Sequence, residues 1–403
     1  MFYERSIKST LANLEQQFPA ILITGPRQVG KSSLLKNYFG DKCSYVSLDD
    51  FVLRQQAKND PRLFLSKYEL PIIIDEIQYA PELMVYIKII IDEQRINGMF
   101  WLTGSQKFEL MRDISETLAG RIAILDLLGL SQSEIAQTTR KTEAFLPSKR
   151  YQQIEYVDIN TCFYRIWRGS YPELYRNKNL EWDRFYASYI QTYLERDIRN
   201  LTQVADEQKF MRFLTVIASR TAQMLNYNSI SKEVGVTGDT IKKWISILET
   251  SGVVYLLKPY YNNIAKRAIK TPKIYFLDTG LCAYLTAWQT AQTLEKGAMS
   301  GAFFETYIIS ELIKSYWHHG KSTKNIYYYR DKDGAEIDVL IEENGQFYPM
   351  EIKKKSNPNL GDIKSFSALN KFNQPIESGA VICLCDDWYP LDEKVNAINI
   401  GAI

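Results

Sequence analysis

Between residues 21 and about 130, short apolar runs rich in β-branched residues alternate with helix-length segments: ILITG, YVSLDD, PIIID, FWLTGS and AILDLLGLS. Such runs are too apolar to be exposed on either face, which predicts an α/β fold with a parallel sheet covered by helices. Residues 137 to 160 are polar and irregular, and from about 162 to 250 the chain turns helical, as in WDRFYASYIQTYLERDIRNL. NSISKEVGVTGDTIKKWISILETSG reads as a helix, a tight turn at Gly235 to Gly238 and a second helix ending before Gly252. Ser229 is placed to cap the first helix, and Thr237 or Asp239 the second. VVYLLKPYY and, after a basic loop, KIYFLD supply two strands of a wing, so a winged helix-turn-helix is expected. After about residue 295 the helix AFFETYIISELIKSYW leads into the strands YYYR, EIDVLI, FYPMEIK and GAVICLC, a separate α+β unit. A chain of 403 residues exceeds what one core usually organises. Three domains are expected, at 1–145, 146–290 and 291–403.

Composition narrows this little. With 45% apolar and 24% charged residues and a net charge of +2, nothing pulls the whole chain toward nucleic acid or membrane. MFYERSIKST lacks the apolar core of a secretory signal, and no apolar run approaches the roughly 18 residues that cross a bilayer, so a cytoplasmic protein without membrane contact is expected. The five cysteines are scattered, and Cys383 and Cys385 lie in the apolar run VICLC; buried reduced thiols fit better than a disulfide or zinc site. His318 and His319 are the only histidines. That argues against catalytic triads and multi-histidine metal sites and leaves carboxylates as metal ligands.

GPRQVGKS, from Gly25 to Ser32, has the G-x-x-x-x-G-K-[ST] spacing of a phosphate loop, with a strand predicted before it and a helix after it. Gly25, Pro26, Arg27, Gln28, Val29, Gly30, Lys31, Ser32 and Ser33 are the expected nucleotide-binding residues. Backbone N–H groups wrap the phosphates, Lys31 neutralises the β/γ oxygens and Ser32 coordinates magnesium. PIIIDE ends a second strand with Asp75, the expected magnesium partner through water, and Glu76, placed to orient or deprotonate the attacking water. Four further residues carry two readings each. Ser105 and Gln106, at the tip of FWLTGSQ, either contact the γ-phosphate or form an ordinary turn. Arg121 is either a transition-state arginine, in cis or across a subunit contact, or part of a surface ion pair. Arg27 either touches phosphate or pairs with a neighbour.

A second constellation lies in GAEIDVLIEENGQFYPMEIKKKS. EIDVLI and FYPMEIK flank Asn344-Gly345, the strongest short hairpin signal. Glu351 and Lys353 share one face of the second strand, and Asp338 shares a face with Glu336 on the first. If the faces match, Asp338, Glu351 and Lys353 converge as two carboxylates and an ammonium, the set metal-assisted phosphodiester hydrolysis uses. The competing reading is a solvated charged hairpin. Glu305 stands three, four and seven positions before Ile308, Ile309 and Leu312, inside the apolar stripe of its helix. A carboxylate there needs either a metal shared with Asp338 and Glu351 or a buried ion pair, for instance with Arg330 or Lys353.

Together these motifs resemble the AAA+ group of P-loop ATPases, in the bacterial and archaeal branch that carries a C-terminal domain of uncharacterised function. The likeness runs over nearly the whole chain, through ILITGPRQVGKSSLL, PIIIDEIQ, LTGSQ, LAGR and LLGLSQSE to LETSGVVYLLKPYY, KIYFLDTGLCAYL and the final MEIKKK. The last portion resembles the PD-(D/E)xK nuclease superfamily, whose helix Glu, strand Asp and Glu-x-Lys match Glu305, Asp338, Glu351 and Lys353. The resemblance implies an AAA+ ATPase domain, a winged-helix region and a nuclease-like domain, with ATP and Mg2+ as cofactors and a possible homo-oligomer. Two roles follow. One is an ATPase acting on nucleic acid, with Lys242, Lys243, Lys266, Arg267 and Lys270 available to phosphates. The other is an ATP-dependent switch whose C-terminal domains bind protein and whose nuclease-like fold is a scaffold.

Overall fold

The strand Ala20–Thr24 (β1) is buried along its whole length, with Ile21 and Ile23 packed into one apolar cluster and Ala20 and Leu22 into another. That two-sided burial is what a strand roofed on both faces requires. The computed structural model describes residues 2–105, 117–138, 143–147, 155–194, 207–263 and 270–403. Helix α1 (Lys8–Glu15) precedes β1 and α2 (Lys31–Phe39) follows it; then come β2 (Ser44–Ser47), α3 (Phe51–Asn59), α4 (Pro61–Ser66) and β3 (Ile72–Asp75). Helix α5 (Leu83–Gln94), β4 (Phe100–Gly104) and β5 (Ile122–Asp126) complete the unit. The five strands are parallel in the order β2-β3-β4-β1-β5. Leu34, Leu35 and Phe39 of α2 fill one face, and Leu83, Met84, Ile87 and Ile91 of α5 the other. Because all strands run the same way and β4 lies between β1 and β3, the loop after Thr24, Asp75 and Ser105 meet at one edge of the sheet.

The middle of the chain is helical: Ile159–Arg168, Trp182–Tyr189, Glu207–Ala218, Tyr227–Val234 and Gly238–Thr250. Asn226, rather than Ser229, caps the helix Tyr227–Val234; Ser229 lies inside the first turn and donates its N–H to the Asn226 side chain at 3.0 Å. Thr237 caps the following helix by accepting from Thr240 N. Gly235, at φ +77°, supplies the left-handed residue that ends the first of the pair. Strands β6 (Gln223–Met224), β7 (Val254–Leu257) and β8 (Lys273–Phe276) form an antiparallel sheet in the order β6-β8-β7. Lys266 and Arg267 lie outside the described residues.

The chain ends in a six-stranded sheet, order β13-β14-β12-β11-β10-β9, built from β9 (Ile326–Arg330), β10 (Glu336–Glu343), β11 (Gln346–Ile352), β12 (Gly379–Cys383), β13 (Tyr389–Pro390) and β14 (Val395–Asn399). Asn344 and Gly345, at φ +53° and +75°, close the β10–β11 hairpin as a two-residue turn, with Glu343 opposite Gln346. The helix Ser300–His318 shares a core with Val339, Ile341, Met350 and Ile352, while Ile337, Leu340 and Phe347 pack on the other face against Phe366 and Leu369. The β9–β10 register slips between Ile337 and Leu340, so the strict alternation of β10 breaks around Asp338. One apolar cluster runs without interruption from Ile7 to Ile403 and ties all three parts together. The five cysteines are free thiols, four of them buried. Among the described residues no helix is long and apolar enough to cross a membrane.

Candidate functional site

The loop after β1 turns on residues with positive φ: Gly25 at +138°, Gln28 at +64° and Gly30 at +93°. Gly25 has no room for a side chain, since a Cβ there would stand 2.0 Å from the Leu127 carbonyl oxygen. Gly30 delivers the chain into α2, whose first residue is Lys31. An N-terminus following such a turn presents N–H groups and a partial positive charge to an anion. The Lys31 ammonium, 6% exposed, donates to the carbonyls of Gly25 at 3.0 Å and Pro26 at 2.9 Å. Ser32 Oγ donates to Asp75 Oδ1 at 2.6 Å.

Asp75 is held by more than Ser32. Thr103 Oγ1, on β4, also donates to Oδ1, and Tyr45 OH, on β2, donates to Oδ2 at 2.9 Å. Burial first, and then the neighbouring Asp75 charge, push the Tyr45 hydroxyl up to about 12. Glu76 sits in the left-handed region at φ +57°, its N–H bonded to Thr103 Oγ1 at 3.1 Å. Its carboxylate accepts from Gln78 Nε2 and, at 3.3 Å, from Ser105 Oγ. Ser105 is therefore placed against Glu76. Gln106 lies outside the described residues.

Above the loop opens a cavity of about 820 Å³, lined by Arg27, Gln28, Val29, Gly30, Lys31, Ser32 and Ser33 together with Glu76. Gly25 and Pro26 are not among its lining residues; Pro26 instead lines a separate narrow crevice with Leu128 and Gly252. The cavity takes in residues that the motif does not name, among them Tyr3, Asp49 and Arg176. Burial, then repulsion from Glu76 and Asp75, raises the Asp49 carboxyl. Arg176 rests on Glu173, with contacts of 2.7 and 2.8 Å, on the middle helix Pro172–Arg176. The cis role considered for Arg121 is corrected by its place in the sheet. It precedes Ile122, which pairs with Ala20 at the start of β1, whereas the loop follows Thr24 at the far end. Arg121 instead holds Asp92 with two contacts, 2.6 and 3.1 Å, on the exposed surface.

Glu305, Asp338, Glu351 and Lys353 come into one region, but a residue outside that set organises them. Lys273 Nζ, at the start of β8, lies 2.7 Å from Glu336 Oε1, 3.3 Å from Glu305 Oε1 and 3.9 Å from Asp338 Oδ1. Tyr275, two residues on and on the same strand face, donates to Glu305 Oε1 at 2.6 Å. Glu305 thus has its buried-face partner in Lys273 and Tyr275 rather than in Arg330 or Lys353. Asp338 Oδ2 accepts the Ile352 N–H at 2.9 Å, and Lys353 holds Glu351 Oε1 at 2.6 Å. Glu351 Oε2 is buried and makes no hydrogen bond of ordinary geometry among the described residues. Burial, and then the Asp338 charge, raise Glu305 to about 7 and Glu351 to about 8, against the pull of the lysines beside them. Among the described residues no three His, Cys, Asp or Glu side chains are grouped to hold a metal ion. Lys273 left one signal in the sequence: KIYFLD places a lysine and a tyrosine two apart on an otherwise apolar, buried strand.

Residues 17–136 match the family described as AAA domain, residues 160–292 a domain of unknown function, DUF8612, and residues 300–403 another, DUF4143. An uncharacterised protein of Mycobacterium tuberculosis is 28% identical over 403 residues, 99% of this chain and 84% of its own. An uncharacterised Haemophilus influenzae protein is 22% identical, covering 73% of this chain and 74% of its own. The solved Walker-type ATPase of Pyrococcus abyssi is similar at a TM-score of 0.44 and 14% identity, over 70% of this chain and 96% of that one. AMPPCP-bound DnaA from Aquifex aeolicus is similar at 0.29 and 13%, over 60% and 85%. The first third of the chain therefore matches the AAA domain family, ahead of a C-terminal segment that matches DUF4143.

Proposed function

We propose that this chain binds ATP with magnesium in the cavity above Gly25–Ser33 and hydrolyses it. The observation that carries the reading is the 2.6 Å contact between Ser32 Oγ and Asp75 Oδ1. It joins the end of the phosphate loop to Asp75 at the end of β3, across the intervening β4, with Lys31 and Glu76 lining the same cavity. The residues fit the nucleotide: Gly25 is stripped of any side chain, α2 aims its N-terminus at the cavity, and Lys31 already donates to main-chain oxygens that phosphate oxygens would replace. Bound magnesium would neutralise phosphate charge as the terminal phosphoryl group departs. Ser32 and Asp75 are the residues to hold it, with Tyr45 and Thr103 fixing the Asp75 carboxylate. Glu76 is the residue to orient water, steadied by Gln78 and Ser105. Lys31→Ala should abolish nucleotide binding, and Glu76→Gln should bind ATP yet turn it over far more slowly. Unchanged turnover in either variant would sink the assignment of that residue.

For the C-terminal part, Lys273 favours the switch over a metal-dependent nuclease. Glu305, Glu336 and Asp338 already share an ammonium, so the acid cluster does not fit a metal as it stands. In this reading the nucleotide domain controls how the middle and C-terminal parts dock and thereby which partner they bind. Labelled single- and double-stranded DNA and RNA, incubated with magnesium or manganese with and without ATP, should stay intact. Cleavage that disappears in the Asp338→Ala/Glu351→Ala double variant would restore the nuclease.

A further inference from the structure

We propose that Lys273 is a tethered cation standing in the place of a divalent metal, so that the acid cluster takes up a divalent cation only when this side chain is removed. The inference deepens the switch reading above and rests on it, but it is tested by binding rather than by cleavage. The cluster draws carboxylates from three elements: Glu305 from the helix Ser300–His318, Glu336 and Asp338 from β10, and Glu351 from β11. Lys273 is 5% exposed and comes from β8, a strand of the middle segment that pairs with β6 and β7 and not with the C-terminal sheet.

Size and charge explain the exclusion. Oxygens around the Lys273 ammonium stand at 2.7, 3.3 and 3.9 Å, wider than the roughly 2.0–2.6 Å at which magnesium or calcium holds oxygen. The ammonium fills the space and props the carboxylates apart. With it gone, the buried Glu305 and Asp338 would face each other beside the half-buried Glu336, which keeps only Arg330 Nη1 at 3.8 Å, and the repulsion between Glu305 and Asp338 would have to be met by protons or by another cation. Glu351 Oε2 adds a buried acceptor that makes no hydrogen bond of ordinary geometry among the described residues, on a side chain 9% exposed, beside Asp338. Such an oxygen next to an acid cluster is what a cation would satisfy. Because the counter-charge arrives on β8, the same contact fastens the middle segment to the C-terminal sheet.

The test is manganese binding to the full chain without nucleotide, followed by the electron paramagnetic resonance of free Mn2+. Wild type and Asp338→Asn should bind the same number of equivalents, because the cluster contributes none. Lys273→Met should gain one equivalent, and the Lys273→Met/Asp338→Asn double variant should lose it again. A wild-type equivalent that Asp338→Asn removes would overturn the proposal, as would a folded Lys273→Met chain with no gain. Should Lys273→Met not fold in metal-free buffer, Lys273→Gln is measured in its place. If that also fails, millimolar Mn2+ should restore the fold; failure to do so overturns the proposal too. Wild-type DNA cleavage would remove the switch reading without deciding these binding results.

Discussion

Arg5 and Glu134 form a buried ion pair, Nε to Oε2 at 3.0 Å, with side chains 3% and 2% exposed. The rest of the guanidinium is spent on main chain: Nη1 donates to the Val29 carbonyl of the phosphate loop at 2.9 Å, and Nη2 to Leu128 at 2.7 Å and Gly129 at 3.1 Å. Glu134 also takes the N–H groups of Ser6 and Ser131. One side chain near the N-terminus therefore clamps the phosphate loop to the segment after β5. That segment in turn meets the C-terminal helix, where Glu311 accepts Gln132 N–H at 2.8 Å and Lys314 donates to the Leu130 carbonyl at 2.9 Å.

Removing half of a buried pair leaves the other charge stranded, at a cost of about 3–5 kcal/mol. Arg5→Ala should show a loss of that size in chemical denaturation and should weaken ATP binding, because the Val29 carbonyl loses its anchor. Arg5→Lys keeps the charge but not the planar fork, so it should fall between wild type and alanine in both measurements. Equal ATP affinity in all three proteins would show that the clamp does not shape the loop.

Acid should loosen the same joint. His318, buried on the C-terminal helix with Nδ1 3.6 Å from Glu134 Oε1, is lowered to about 4, chiefly by burial and despite Glu134; Arg5, Lys314 and His319 also lower it. Glu134 is lowered to about 2: burial works to raise it, but Arg5, His318 and the two N–H groups prevail. Above pH 6.5 His318 is neutral whether folded or unfolded and adds no pH dependence. From about pH 6.5 down to 4 the unfolded chain takes a proton that the folded chain refuses, so stability should fall by on the order of 3 kcal/mol over that window. Glu134 should add its own loss as pH drops below its unfolded value toward 2. Denaturant midpoints for wild type and His318→Asn check this: the variant should lie flatter between pH 6.5 and 4, and parallel curves would exclude His318.

Gly25→Ala should cost nucleotide binding more than fold. A Cβ at φ +138°, 2.0 Å from the Leu127 carbonyl oxygen, forces the loop off β5, yet the strands flanking it keep their cores. At least tenfold weaker ATP binding is expected, about 1.4 kcal/mol, with the thermal midpoint only modestly lowered. Unaltered affinity would mean that the loop adapts without losing its cradle.

How much of this was legible in the sequence depended on whether a group's partner was near in the chain. The five parallel strands, the loop and the Asn344-Gly345 hairpin were legible because apolar runs, glycine spacing and turn chemistry are local. Ser32 and Asp75 were readable as a pair only because each ends a recognisable motif. Tyr45 and Thr103, which hold that same carboxylate, carry no mark of it, since strand order rather than sequence order makes them neighbours. Lys273 is the sharper case. It lies 65 residues before Asp338, in a strand predicted as a wing, and only tertiary docking turns it into the counter-ion that the carboxylates needed. Ser229 shows the smaller version of the same limit: both it and Asn226 have capping side chains, and the backbone decides between them.

Arg121 is the residue whose role geometry changes most. At the far end of β5 from the phosphate loop, and holding Asp92 through two contacts on an exposed surface, it cannot reach the cavity of its own chain. Ion pairs of this kind add little to stability, because water screens them and both side chains pay entropy to stay in register. Arg121→Ala should therefore leave the thermal midpoint, ATP affinity and turnover per chain nearly unchanged in dilute protein. The remaining possibility is a second copy presenting its Arg121 to this cavity. That would make turnover rise with protein concentration in wild type, and Arg121→Ala would remove the rise without touching the dilute rate. ATP turnover measured across a concentration series for both proteins distinguishes the two: superimposed flat curves leave Arg121 a surface residue, and divergence at high concentration assigns it to a neighbouring subunit's site.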